Sequence, residues 1–156
     1  MKDVTLKDGE FIQMIGMVKA EIHGADGVLK TVMEFPNLVV TAGKNVIADR
    51  LGKASPAKGA MTHMAIGTDN TAPAAANTAL GAEAARVALT STTVTDNAVQ
   101  YQATFGPGVG TGAITEAGMF NAASAGDMLC RTVFPVVNKQ SGDTMVITWT
   151  ISLTAS

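Results

Sequence analysis

Two histidines, His23 and His63, are the side chains best suited to acid–base catalysis near neutral pH. A Ser–His–Asp site needs a histidine beside a nucleophile and a carboxylate. Neither histidine lies in a nucleophile-elbow motif such as G-x-S-x-G. We therefore interpret both as surface or partly packed side chains.

The single cysteine, Cys130, alternates with Met128, Thr132 and Phe134 along a predicted strand. No cysteine-protease signature surrounds it, so we predict a buried structural thiol. One cysteine also excludes a disulfide framework and any multi-cysteine metal site.

A glycine-rich segment, residues 108–113, formally matches the dinucleotide motif G-x-G-x-x-A. That motif requires a helix after it, whereas residues 114–120 have a strand pattern. We predict a flexible loop between two strands. Lys44 follows Gly43, but Leu38 stands where a P-loop requires glycine, so no phosphate-binding loop is predicted there.

The remaining carboxylates are scattered in or near predicted loops: Asp69, Glu83, Asp96, Glu116, Asp127 and Asp143. Asp69 and Asn70 lack the spacing of a calcium loop. Few aromatic residues are available for a sugar cleft, although the sequence leaves paired catalytic acids open. Glu83 and Arg86 have the spacing of an ion pair on a helical turn. We expect no catalytic residues, no metal and no cofactor.

Composition indicates one folded domain of 156 residues with an unusually uncharged surface. Hydrophobic residues make up 47% and charged residues 15%, which argues against disorder. The net charge of −2 gives no drive toward nucleic acid or an anionic membrane. The charged first eight residues do not resemble a secretory signal, and we expect a soluble protein made in a cytoplasm. A charged fraction below the usual quarter or so indicates surface covered by partners.

The alternation of apolar and polar residues predicts a mainly β fold. We expect an antiparallel β-sandwich or jelly roll with one short helix and an N-terminal arm. The arm covers residues 1–16 and a single β-rich domain covers residues 17–156. Within that domain we predict a hairpin over 17–35, a helix over 42–52 with Thr41 as its N-cap, and sandwich strands over 61–154.

Four finer expectations follow from the same patterns. Residues 78–85 are alanine-rich and predict one or two helical turns. Residues 87–95 predict one strand, and Pro135 is expected to end another. On the last strand Met145, Ile147, Trp149, Ile151 and Leu153 face one way, which favours core over subunit interface.

Three stretches, residues 36–51, 61–86 and 114–134, together resemble small virion structural proteins of tailed bacteriophages. The second and third are also similar to the globular module at the start of phage tail-collar and tail-fibre proteins. The resemblance spans about residues 36–153. The strand and turn residues that carry it, such as Gly67 and Gly118, are expected to shape the fold rather than to act in catalysis.

The resemblance implies a structural role in a virion. Tail fibres continue into a long shaft, whereas this chain stops at Ser156 and adds a hairpin over residues 11–35, which favours a capsid decoration or cement protein. Such a protein binds the major capsid protein on the outer surface of the head as a homo-oligomer, here expected to be a trimer, without nucleic acid or membrane. The alternatives are a tail fibre, collar or adaptor protein that contacts tail proteins, and a glycan-binding module.

The N-terminal segment, residues 1–16, is predicted to attach the protein to the capsid. It is charged at its start, apolar from Phe11, and shows no partner within the chain. The candidate attachment residues are Lys2, Asp3, Leu6, Phe11, Ile12, Met14 and Ile15. Small polar residues on the outward positions of the last strand, Thr148, Thr150 and Ser152, are expected to form a face that packs on another subunit.

Overall fold

A computed structural model describes residues 12–155, which form ten strands and one helix. In chain order they are β1 (Ile12–His23), β2 (Leu29–Pro36), β3 (Leu38–Val39), α1 (Thr41–Gly52), β4 (His63–Gly67), β5 (Glu83–Ala88), β6 (Ser91–Thr95), β7 (Ala98–Phe105), β8 (Gly112–Phe120), β9 (Met128–Lys139) and β10 (Thr144–Ala155).

The strands form two antiparallel sheets that enclose the core. Sheet 1 has the order β2-β1-β10-β7-β6, and sheet 2 has the order β3-β9-β8-β4-β5. Apolar side chains from both sheets fill the space between them, with Phe105, Met64 and Met119 fully buried. The prediction of a mainly β, antiparallel sandwich with one short helix is confirmed.

Strand β10 occupies the centre of sheet 1, and its alternation matches the buried pattern. Ile147 and Trp149 are fully buried and Ile151 nearly so, which confirms that this face belongs to the core. Leu153 shares the face but is 45% exposed. Leu153 lies beyond the closely packed part of the sandwich, so the alternation of β10 continues past the last buried residue.

Strand β1 pairs with β10 over its whole length, from Ile12 opposite Ala155 to His23 opposite Thr144. Residues 12–16 are therefore part of sheet 1, and their assignment to a free arm is wrong. The sequence pattern missed this because Gly16 interrupts the alternation. A Cβ at Gly16 would collide with the side-chain amide of Asn37, which would have to move to admit it. Residues 1–11 lie outside the described part of the chain.

Three local predictions need correction. Residues 78–82 form no helix, and residues 83–85 begin β5, because the backbone of this segment bonds to a buried carboxylate instead. The single strand predicted over 87–95 is two strands, β5 in sheet 2 and β6 in sheet 1. Strand β9 continues past Pro135 through a bulge in which residues 134–136 stand opposite Thr115.

Helix α1 covers one end of the sandwich, close to its predicted bounds. Its N-cap is Val40 rather than Thr41, and no side chain caps it. Val46 is buried and Ile47 packs on the core. Gly43 lies so close to β9 that any Cβ there would collide with the carbonyl of Leu129. No helix within residues 12–155 is long and apolar enough to cross a bilayer.

This close approach predicts an asymmetry between two glycines of α1. Gly43→Ala should destabilise the fold by about 1–3 kcal/mol, because the helix must move away from β9. Gly52→Ala, with open space around it, should change stability by under about 1 kcal/mol. Urea unfolding of both variants measures the difference, and equal midpoints would contradict the packing described.

Candidate assembly surface

Strand β8 is buried on both faces because a long loop covers the outer side of sheet 2. We call this loop, residues 68–82, the strap. Its Leu80 packs into a small apolar cluster on that side of the sheet. The other buried members of the cluster are Val40, Ala65, Phe120 and Met128.

The carboxylate of Glu116 fastens the strap to β8. Its oxygens accept hydrogen bonds from the backbone N–H groups of Asp69 (3.2 Å), Gly81 (3.0 Å) and Ala82 (2.8 Å). From the neighbouring strand β9, Arg131 donates through Nε at 3.0 Å and places Nη2 at 2.9 Å. Glu116 is fully buried and Arg131 is 2% exposed. Both charges are compensated by each other and by the strap.

Arg131 also reaches the first half of the strap. Its Nη1 donates to Oδ1 of Asn77 at 3.1 Å, and Nη2 lies 3.5 Å from the carboxylate of Asp69. The pKa of Asp69 is lowered, first by hydrogen bonds from the backbone and hydroxyl of Thr71 and further by the charge of Arg131. The group therefore holds the strap in place, although Nη2 of Arg131 makes ionic contacts without a hydrogen bond.

A second buried charge, Lys139, secures the opposite end of the sandwich. Its Nζ donates to the carbonyls of Gly106 (2.9 Å) and Asp143 (2.7 Å). The Asp143 carboxylate accepts from the backbone N–H of Gln140 and from Nζ of Lys30, both at 2.9 Å. These contacts tie the glycine-rich loop to its neighbours. That loop joins β7 to β8, as predicted, and no helix follows it.

The remaining polar candidates are also engaged locally. His63 Nδ1 lies 2.8 Å from the hydroxyl of Thr62. Cys130 is buried, as predicted, and burial raises the pKa of its thiol well above the usual value. Glu83 and Arg86 form the expected ion pair at 2.7 Å, but on strand β5 rather than on a helical turn.

Arg86 also contacts an aromatic ring and the loop between β8 and β9. The Arg86 guanidinium stacks 3.7 Å from the ring centre of Phe120 and donates to the carbonyls of Ala122 and Ala125. Across residues 12–155, no group of three or more histidine, cysteine or acidic side chains is arranged to hold a metal ion.

The outward face of sheet 1 is poor in charged residues. Its β10, β7 and β6 positions, given by strand alternation and register, contain no charged residue. We call these positions the uncharged face: Val146, Thr148, Thr150, Ser152, Ala98, Gln100, Gln102, Thr104, Ser91, Thr93 and Thr95.

Amide and hydroxyl side chains link neighbouring strands of the uncharged face. Gln102 donates to the hydroxyl of Thr148 at 3.3 Å, and Gln100 approaches that of Thr150 at 3.5 Å. On the adjoining strand β1 the face continues with Met17, which is 48% exposed. Most of its polar groups are small and neutral, so covering them costs less than covering charges. The arrangement fits burial against another protein surface.

Four of the seven predicted attachment residues precede β1. Lys2, Asp3, Leu6 and Phe11 lie outside the described residues.

The three that are described belong to β1. Ile15 is 49% exposed and points outward beside the uncharged face, whereas Ile12 and Met14 alternate to the other side. Ile12 is 83% exposed, and Met14 packs against the core. Their role in attachment stays a prediction.

Comparisons with protein-family models, curated proteins and solved structures return no match to this chain. The strap and its buried carboxylate were not predicted, because Glu116 stands among apolar residues with no sequence pattern that identifies its partners. An acidic residue within an otherwise apolar strand was the available signal.

Removing the charge of Glu116 should release the strap. Glu116→Gln leaves Arg131 buried without its counter-charge, so we expect a loss of about 3–5 kcal/mol in unfolding free energy. Glu83→Gln, which breaks the partly exposed pair with Arg86, should cost no more than about 1 kcal/mol. Chemical unfolding of both variants measures the two losses in unfolding free energy. Similar losses would show that burial of the first pair carries no special weight.

Acid should weaken the fold partly through Asp143. The N–H of Gln140, followed by the ammonium of Lys30, lowers the pKa of this carboxyl in the folded state. Its contribution is therefore present above the ordinary pKa of about 4 and is lost as pH falls through the folded value. Asp143→Asn and Lys30→Met should each reduce the loss of unfolding free energy between neutral and acidic pH. An unchanged loss in both would reject this role.

Proposed function

We propose that this chain is a capsid decoration protein of a tailed bacteriophage. It binds the outer surface of the head as a homo-oligomer, a trimer by analogy with the proteins it resembles, and stabilises contacts between major capsid proteins. Its location is the virion, after synthesis in the host cytoplasm. Burial of surface across neighbouring coat subunits would raise the free energy needed to separate them.

The uncharged face is the observation that carries this proposal. Interface cores are depleted in charged residues, and an exposed five-stranded sheet with three uncharged strands offers such a surface. The solvated face of an antiparallel sheet is polar, and charged side chains on it would have to be desolvated when a partner covers them. On this chain those charges begin only at β1, with Lys19 and Glu21.

The position of the resembling stretches supports the same interpretation. Residues 36–51 contain β3 and all but the last residue of α1. Residues 61–86 contain β4, the whole strap and the start of β5, and residues 114–134 cover most of β8 and the first half of β9. All of these elements belong to sheet 2 or cover it. The uncharged face lies on the opposite side of the sandwich, where it is available to a partner.

A tail fibre, collar or adaptor protein is the second candidate, because the second and third stretches are also similar to tail modules. Copy number separates the two. In stained gels of purified virions, the copy number of a decoration protein should approach that of the coat protein. A tail component should be present in far fewer copies. A glycan array with the isolated chain addresses the third alternative, for which saturable sugar binding is the required result.

A charge placed in the uncharged face should prevent attachment. Thr150→Glu should weaken binding to heads that lack this protein by about tenfold or more, because the carboxylate would be desolvated without a partner. Thr111→Glu, in the exposed glycine-rich loop, is the matched control and should bind as the wild type does. Co-sedimentation with the heads measures both, after urea unfolding has shown that both variants are folded.

The same assay tests the N-terminal segment. A chain without residues 1–10 should also bind heads less tightly while the β-domain remains folded. If Thr150→Glu and the shortened chain both bind like the wild type, neither surface attaches the protein and the proposal fails.

A further inference from the structure

Three of the four edge strands within residues 12–155 carry features that prevent pairing with another chain. Strand β2 contains Lys30 and Glu34 and ends at Pro36. Strand β3 has only two residues, and β5 carries the Glu83–Arg86 ion pair beside a bulge.

Strand β6, residues Ser91–Thr95, is the exception in the described chain. It contains no charge, no proline and no bulge, and all five of its residues are exposed. Threonine and valine also have high β-propensity. An edge of this kind is a template for an additional strand.

The register identifies which backbone groups of β6 are free. Leu153 N donates to Asn97 O at 2.8 Å, so odd-numbered residues at this end of β7 bond to β10 and even-numbered residues bond to β6. The bonded partners on β6 are then Ser91, Thr93 and Thr95. The N–H and C=O groups of Thr92 and Val94 point away from the sheet, toward any strand placed beside it.

An apolar groove adjoins this edge. Val94 is 70% exposed and lies at the rim of a cavity of about 290 Å³ between sheet 1 and α1. Apolar side chains of both layers line it, including Ile47, Tyr101, Leu129, Ile151 and Leu153. A strand added to β6 would therefore satisfy free backbone groups and cover an exposed valine in the same contact.

We propose that β6 pairs with β6 of a second copy of this chain, antiparallel about a two-fold axis. A strand without charge meets no like charge when it faces itself, so the contact is self-complementary. The free groups set the register: Thr92 of one copy opposes Val94 of the other, and the two Thr93 residues meet at the axis. About four backbone hydrogen bonds form, and the two five-stranded sheets become continuous.

This pairing does not depend on a virion location, but it changes the expected assembly. If the pairing forms, the homo-oligomer of the proposed function is a dimer or an even-numbered oligomer, which replaces the trimer expected by analogy. The strand is short, so the contact is expected to be weak in dilute solution and to strengthen with concentration.

Sedimentation velocity over a range of concentrations of the full chain tests the pairing. The wild type should show a monomer–dimer equilibrium. Val94→Pro removes an outward N–H without breaking a bond to β7, and Val94→Lys adds a charge to the edge. Each should raise the dimer dissociation constant at least about tenfold. Val136→Lys, at a valine 55% exposed on β9, is the control and should leave it unchanged.

Hydrogen exchange at the Thr92 amide gives a second measurement. Its protection should rise with wild-type concentration and disappear in Val94→Lys. A wild type that is monomeric or trimeric at all concentrations, or protection independent of concentration because the chain covers its own edge, would overturn the pairing. If the chain dimerises but does not bind heads, the proposed function is rejected and the pairing stands.

Discussion

The buried pair of Glu116 and Arg131 is the interaction on which the architecture of sheet 2 depends. Two charges without water are costly unless every lone pair and proton is matched. Here three backbone N–H groups of the strap donate to the carboxylate and Oδ1 of Asn77 accepts from Nη1 of Arg131, while Nη2 of Arg131 has ionic contacts alone, with Glu116 and Asp69. The strap can then cover the small apolar cluster around Phe120, and β8 is buried on both faces. Remove the carboxylate and the loop has neither its anchor nor a compensated arginine beneath it.

Strand periodicity was enough to predict the fold class and most hairpins, because one face of each strand is buried. Ile147 and Trp149 are examples in which alternation alone identified core residues. Periodicity failed where another interaction decides the structure. The strap takes its shape from Glu116, 34 residues away from Ala82, and β1 extends to Ile12 because β10 offers a partner of equal length. Such long-range pairings leave no local pattern.

The two sheets divide the work of the molecule. Sheet 2 carries the resembling stretches, the helix and the strap. Its buried charges, Glu116 and Arg131, bind each other and the strap. Sheet 1 has a simpler outward surface of threonine, serine and glutamine and an unprotected edge at β6. Uncharged residues are therefore grouped on one face and one edge of sheet 1, where a partner would cover them. This distribution supports an assembly role and gives the proposed contacts definite positions.

Whether the protein coats a phage head, as we propose, is tested most directly by its position on the particle. Cryo-electron microscopy of virions produced by the genome that encodes this chain, with an antibody fragment against it, measures that position. We expect label distributed over the outer head surface in many copies, with the uncharged face of sheet 1 turned toward the coat protein. Label confined to the tail, or particles without label, would contradict it.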